Sequence, residues 1–276
     1  MITSKQKENA SKFSSLHKTS KLFVLPNAWD IGSAVVFEKA GFPAVATSSA
    51  GIAHSMGYSD GEQIDFEELL YLVERMAKRV SIPLSVDFER GFGESGDEVK
   101  EKARRLLYAG AIGFNIEDGL PDGMLSPVQL QVEKIEALCQ LKKELDLDFV
   151  INARTCTYLL DVADEEGKLE TAIERGNAFL SAGADCVFVP GAMEEDTMAA
   201  LVSGIKGPLN ILLTNKSADF RRLEEIGVRR LSIGSALSRW SYGKAIDLAD
   251  NLMKWDTDEM RSNWFTLDKA NNFFKI

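Results

Sequence analysis

The sequence predicts a (β/α)8 barrel of the TIM-barrel class on three observations. Eight short apolar runs recur along the chain, and each is followed by a helical pattern. The runs are apolar throughout rather than alternating, as expected of parallel strands buried on both faces. Acids, hydroxyls and one arginine gather at the C-terminal ends of neighbouring runs, where such barrels carry their sites. A doubly wound open sheet is the alternative arrangement of the same units. No Pro/Gly/Ser-rich linker interrupts residues 1–276, so one domain is expected, with a helical extension from about residue 237.

Residues 22–26 (LFVLP) read as the first strand, and residues 31–41 as a helix closed by Gly41. Residues 43–48 (PAVATS) are the second strand. Asp65 then caps a helix that runs to about Val80, with Glu68 completing a capping box. The third strand is 83–89 (PLSVDFE), followed by a helix from about Asp97 to Ala109 that Gly110 stops. Residues 112–117 (IGFNIE) are the fourth strand, and Ser126 and Pro127 open the next helix as cap and first-turn residue. The fifth strand is 148–154 (DFVINAR), with a helix over 168–182 ended by Gly183. The sixth is 185–189 (DCVFV), with a helix over 195–206; the seventh is 208–213 (PLNILL), with a helix over 217–226. The eighth is 228–233 (VRRLSI), and a last helix runs from Leu237 through Trp255. The chain beyond 237 carries Trp240, Trp255, Trp264, Phe265, Phe273 and Phe274, more apolar surface than one closing helix uses. Either a partner subunit or the chain's own barrel would cover it.

A net charge of -10 argues against nucleic acid or an anionic membrane as partner, but not against a small anion, because local cations override the total. No stretch of about 18 apolar residues predicts a transmembrane helix. The polar start, MITSKQKENASKFSSLHKTSK, lacks the apolar core of a secretory signal. Cys139, Cys156 and Cys186 form no CxxC pair, which fits a reduced, cytoplasmic protein.

The third strand organises the candidate site. Side chains alternate along a strand, so Asp87 and Glu89 should share a side. Two acids on one side of a buried strand repel and are costly to desolvate, so a cation is expected beside them. Neighbouring strand ends add Thr47, Ser48 and Ser49, then Glu117 and Asp118, then Asn152 and Arg154. Carboxylates with waters between them suit Mg²⁺, with Mn²⁺ as the alternative ion. Arg154 suits a carboxylate or phosphonate. The hydroxyls and backbone N–H groups of Ser48, Ser49 and Ala50 could hold a further carboxylate oxygen, and Asn210 on the seventh strand is another candidate for substrate. A 2-oxo acid chelating the metal would fit, with the ion stabilising an enolate as a bond to carbon 3 breaks or forms.

Other features read as structural. Gly91, Gly93 and Gly96 spell GxGxxG, but Asp87, Glu89, Glu94 and Asp97 flank them and would repel a pyrophosphate. His17 reads as a surface residue, and His54 either approaches the site or packs. Cys156 has no His partner and reads as packing. Arg221, Arg222, Arg229 and Arg230 read as a solvated basic cluster.

Taken together, LPNAWD, ATSSAGIAHSMGYSDG, SVDFERGFG, GFNIEDG, INART and RRLSIGSA resemble the phosphoenolpyruvate mutase/isocitrate lyase superfamily over residues 22 to 245. The resemblance implies a (β/α)8 barrel whose eighth helix is exchanged between subunits, in a homodimer or homotetramer. It also implies Mg²⁺-dependent making or breaking of C–C or P–C bonds in 2-oxo acids. By this resemblance Asp87 binds the metal, and Glu89 and Glu117 hold its waters. Arg154 and the Ser48–Ala50 segment bind substrate. Asp60 aligns with the acid at the edge of the site, and Asp60, Tyr58 and a lid residue are candidates for proton transfer. Isocitrate and methylisocitrate lyases carry a KKCGH-type loop, and here Glu94-Ser95-Gly96-Asp97 stands after the third strand without a cysteine. The mutase and phosphonopyruvate hydrolase carry Lys and Asn in a gating loop, and here that loop is Gly119–Leu125 with neither. The expectation is therefore a Mg²⁺-dependent lyase of a small 2-oxo or 2-hydroxy (di)carboxylic acid. The alternatives are a mutase or hydrolase acting on P–C or C–C bonds, and a non-catalytic barrel that binds a metabolite.

Overall fold

A computed structural model describes residues 1–192, 194–214 and 219–275. Its strands are β1 (Phe23–Leu25), β2 (Asn27–Ala28), β3 (Val45–Thr47), β4 (Leu84–Asp87), β5 (Gly113–Glu117), β6 (Val150–Arg154), β7 (Cys186–Phe188), β8 (Leu209–Leu212) and β9 (Arg230–Ser232). All pair in parallel, in the order β1-β9-β8-β7-β6-β5-β4-β3-β2. β1 and β2 are the two halves of one barrel strand. The first half bonds to β9, the second to β3, and Pro26, which has no N–H, stands between them. One strand thus joins both ends of the sheet and closes an eight-position (β/α)8 barrel, as the apolar runs predict.

The helices are α1 (Ser4–His17), α2 (Ile31–Lys39), α3 (Ser49–Ser55), α4 (Phe66–Ala77), α5 (Gly96–Ala109), α6 (Val128–Leu145), α7 (Glu165–Ser181), α8 (Glu195–Gly204), α9 (Phe220–Ile226), α10 (Ala236–Met253), α11 (Asp258–Ser262) and α12 (Leu267–Phe273). The predicted punctuation holds at α4, where Glu68 reaches back to the Asp65 N–H, and at α5, which Gly110 ends with φ 117°. At α6 it fails: Pro127 occupies the cap position, and the Ser126 hydroxyl, one residue earlier, has no partner. The predicted start of α9 at 217 lies outside the described residues.

Ahead of the C-terminal extension, two of the described helices were not foreseen. α3 follows β3 directly, capped by the Ser48 hydroxyl, which accepts from Gly51 N. α1 forms from the polar N-terminal stretch and packs at the N-terminal ends of the strands. Gln6 donates to the carbonyls of Leu107 and Ala111, and Phe13 abuts Gly113 at the start of β5. His17 is therefore a buried residue between the rings of Phe13 and Phe23, not a surface one.

The barrel interior is polar as well as apolar. Arg230 of β9 donates to Asn115 of β5, and the two strands are not neighbours, so the guanidinium crosses the lumen. The predicted basic cluster accordingly divides. Arg230 is wholly buried, while Arg222 pairs with Glu195 and Glu225 at the surface. At the other extreme, α10 buries Ser238 alone. No helix among the described residues is long and apolar enough to cross a membrane.

Candidate active site

Asp87 ends β4 and is buried. One of its oxygens accepts the Ser49 N–H at the start of α3 (3.1 Å), and the other faces the Asn115 amide (3.4 Å). The orientation of that amide is fixed, because the Asn115 oxygen already accepts from Asn152 (2.7 Å) and Arg230 (3.1 Å). Thr47, a predicted substrate group, instead accepts the Asp87 N–H on its hydroxyl (2.8 Å) and is fully buried. Its role is to hold the strand end in place.

Glu89 is close to Asp87 by a different route from the one strand alternation suggests. The strand stops at Asp87, and Glu89 sits in the following turn at φ 49°, a left-handed conformation that costs a non-glycine residue roughly 1–2 kcal/mol. Its carbonyl accepts the Glu117 N–H, and its carboxylate accepts the Glu62 N–H (2.7 Å). Burial, then the charge of Asp87, pushes the Glu89 carboxyl up to about 8. Glu62 is itself at φ 53° and accepts the Arg90 N–H (3.0 Å) while pairing with the Arg90 guanidinium. The loop that carries Asp60 is thereby tied to the turn that carries Glu89.

Glu117 and Arg154 end β5 and β6, stand in register and form an ion pair at 2.7 Å. Burial pushes the Glu117 carboxyl up to about 7, with Arg154 opposing the shift and Asp87, Asp60 and Asp118 adding to it. Asp118 points away from the mouth, to a buried pair with Arg175. The Cys156 thiol lies beside Arg154, and burial pushes it up to about 12, which leaves it protonated and consistent with packing.

These groups surround two adjoining cavities at the C-terminal end of the barrel. The inner one, about 170 Å³, is lined by Ser48, Ser49, Ala50, Asp60, Asp87 and Arg154, and also by Asn27, Asn115 and Ser232. The outer one, about 380 Å³, is lined by Glu89, Arg90, Glu117 and Cys156, and it shares Asp60, Arg154 and Leu159 with the inner one. Most predicted site residues therefore come together. Asn210 and Thr47 do not line either cavity; Asn210 exchanges hydrogen bonds with Ser232 below the floor. Tyr58 and His54 also lie outside both linings. The loop Gly119–Leu125 forms a small hairpin at the rim, with Gly119 bridged to Leu125.

The sequence reading did not single out Asn27, Ser232, Glu62 or Arg90. Arg90 in SVDFERGFG was legible as a charge next to the acids, but its partner Glu62 is fixed only by the fold. The glycines of GxGxxG serve close packing. A Cβ on Gly91 would meet Val99 at 2.7 Å, and one on Gly96 would meet the Glu133 carbonyl at 2.9 Å.

A divalent ion suits this donor set in one specific sense. Among the described residues no three His, Cys, Asp or Glu side chains form a metal cage. What the site offers is Asp87, buried beside two further carboxylates whose affinity for protons is raised by burial and mutual repulsion. A hard cation that keeps part of its hydration and needs few direct protein ligands meets that description, and Mg²⁺ is such an ion.

The phosphoenolpyruvate phosphomutase family model matches residues 13–253. An uncharacterized protein of Mycobacterium tuberculosis is 34% identical over 223 residues, 81% of each chain. A 2-methylisocitrate lyase of Halalkalibacterium halodurans is 32% identical over 208 residues, 74% of this chain and 67% of the lyase. Among solved structures, a provisional lyase/mutase of Burkholderia cenocepacia superposes with a TM-score of 0.91 at 31% identity, covering 99% of this chain and 98% of that one. A phosphonopyruvate hydrolase solved with oxalate and Mg²⁺ shares the fold at a TM-score of 0.85 and 22% identity, covering 96% and 94%.

Proposed function

The chain belongs to the phosphoenolpyruvate mutase/isocitrate lyase superfamily, and from that premise we propose a Mg²⁺-dependent lyase that cleaves or forms a C–C bond in a small 2-oxo or 2-hydroxy (di)carboxylic acid. One observation supports this reading above the others. Asp87, oriented by Ser49 N–H and Asn115, faces the same inner cavity as Arg154 and the Ser48–Ala50 segment. Asp87 would hold the ion, with Glu89 and Glu117 on its waters. When bound, Mg²⁺ would act as a Lewis acid towards the substrate's oxo and carboxylate oxygens.

The chain's own groups supply the rest. The Arg154 guanidinium, whose Nε has no partner, and the Ser48 and Ser49 hydroxyls bind and orient the carboxylate. Asp60 lines both cavities and is exposed, so its carboxylate can take a proton from a substrate hydroxyl and release it to solvent. The inner cavity, about 170 Å³, suits a small acid. Phosphonate chemistry is the weaker reading, because the rim hairpin brings neither Lys nor Asn to the site. The nearby Lys134 is committed to the Arg90 carbonyl (3.0 Å). We also propose a homodimer or homotetramer, supported by the uncovered face of α10.

The test is thermal stability with Mg²⁺ alone and with Mg²⁺ plus oxalate, on wild type and Asp87→Ala. At about 100-fold excess over its Kd, a ligand of the native state adds roughly 2.7 kcal/mol. Stabilisation by oxalate only in wild type and only with Mg²⁺ is the expected result. No response from wild type would sink the metal–oxo-acid reading.

A further inference from the structure

We propose that Arg90 is a second anion anchor of this site, at which the far carboxylate of a diacid substrate is read. The inference rests on the lyase reading above and deepens it from the reacting end of the substrate to its other end.

Arg90 and Arg154 are the two cations that line the outer cavity, whose other charged groups, Asp60, Glu89 and Glu117, are all acids. Arg154 stands where the two cavities meet; Arg90 lines the outer one and not the inner, and it also faces an adjoining space of about 540 Å³ lined by Glu62, Glu117 and Lys134. Asp87 and the Ser48–Ala50 segment belong to the inner cavity. The groups therefore run in sequence, from the inner cavity past Arg154 to Arg90. A substrate with its oxo and carboxylate groups at the inner end extends its tail towards the Arg90 guanidinium. Without a cation there, a second negative charge would face three carboxylates.

Arg90 is also held in place for this role. Its N–H bonds to Glu62, its carbonyl accepts from the buried Lys134, and it lies between two left-handed residues, Glu89 at φ 49° and Gly91 at φ 95°. One guanidinium nitrogen pairs with Glu62. Among the described residues, Nε and Nη1 take no hydrogen bond, and the side chain is 25% exposed, so part of the fork is open to a ligand. A fork fixed at one edge and free at the other suits a carboxylate, and an ammonium would not reproduce that geometry.

The test compares two probes of equal length, 2-oxoglutarate and 2-oxopentanoate, which differ in the terminal carboxylate, with oxalate as the reporter of the inner end. Binding is measured by calorimetry with Mg²⁺ on wild type, Arg90→Met, Arg90→Lys and Glu62→Gln. Wild type is expected to prefer 2-oxoglutarate by tenfold or more. Arg90→Met is expected to erase that preference while leaving oxalate within twofold, and Arg90→Lys to keep only part of it. Glu62→Gln, which frees the fork, tightens 2-oxoglutarate but not 2-oxopentanoate, and it decides the matter if Arg90→Met does not fold. An equal preference in wild type and Arg90→Met overturns the assignment, as does the absence of any preference in wild type. A parallel loss of oxalate in Arg90→Met also overturns it, since Arg90 would then only brace the turn. If oxalate fails to bind wild type, the lyase reading itself falls and takes this subsite with it.

Discussion

Asn115 shows how much a single side chain can decide. Its oxygen accepts from Asn152 and Arg230, so its amide can only face Asp87. Asn115→Leu would leave two buried donors and one carboxylate oxygen unmatched, at about 1–3 kcal/mol for the neutral Asn152 amide and more for each of the charged groups, Arg230 and Asp87. The expected outcome is a melting point lowered by many degrees in urea or heat, together with loss of the Mg²⁺–oxalate response. Asn115 stands two residues before Glu117 on β5, so strand alternation puts both on one side, but nothing local could announce a partner on β9. His17 carries a prediction of its own. Burial, then the charge of Arg230, lowers its pKa to about 3, and its Nε2 has no partner. The unfolded chain, with an ordinary pKa near 6.5, binds a proton that the folded chain refuses. Stability therefore falls as pH drops through the window from about 6.5 towards 3, by roughly 1.4 kcal/mol per pH unit once below 6.5. His17→Phe keeps the ring contacts and removes the proton. Denaturation curves at pH 7.5 and pH 5 should show the variant gaining on wild type by about 2 kcal/mol at the lower pH; parallel losses would refute the assignment. The sequence hid this residue because a polar flank around Phe13 and His17 gives no sign of its burial.

At the scale of elements, the turn after β4 does what a strand was expected to do. Apolar runs and most helix caps are local signals that the fold respects, although the α6 cap and the outward-turned Asp118 depart from them. The end of the strand was not legible, because Glu89 adopts a left-handed conformation that only contacts with Glu62 and Glu117 can enforce. Gly91 makes this turn possible. It combines φ 95° with contact distances of 2.7 Å to Val99 and 3.0 Å to Ile116 for an added Cβ. Gly91→Ala adds the left-handed cost of about 1–2 kcal/mol to an overpacking cost of about 1–3 kcal/mol. Gly123, at φ 83° in the rim hairpin, has open space around it, so Gly123→Ala bears only the first cost. Chemical denaturation of both variants should therefore separate them by about 1–3 kcal/mol, with Gly91→Ala the weaker. Equal losses would mean that the turn relaxes freely and does not define the position of Glu89.

For the molecule as a whole, the barrel satisfies itself and the C-terminal helices do not. α10 should close the ring as its eighth helix, yet it buries Ser238 alone. Tyr242, Ile246, Ala249 and Met253 follow one another at helical spacing and are all exposed, an apolar stripe that faces no part of its own chain. Trp240 and Trp255 extend it, at 70% and 93% exposure. The end of the chain does return to its own barrel, where Arg79 donates to the Phe274 carbonyl and Lys39 to that of Lys275. The sequence reading left open whether the tail aromatics meet the chain's own barrel or a partner, and the two parts of the tail differ in this. Uncovered apolar area of this extent is unusual on a monomer, and it is the face that the proposed homo-oligomer would cover. A second copy placing its own α10 against this barrel, and receiving this α10 in return, would cover both stripes at once by a symmetric contact. Light scattering on the native protein should therefore return a mass at an even multiple of 30.5 kDa. Ile246→Glu with Met253→Glu puts charge on the stripe without touching the barrel mouth. That variant should run as a monomer with a lowered melting point, and its melting point should no longer rise with protein concentration. A monomeric wild type, or a double variant that keeps its mass, would mean that α10 covers nothing and is covered by nothing in solution.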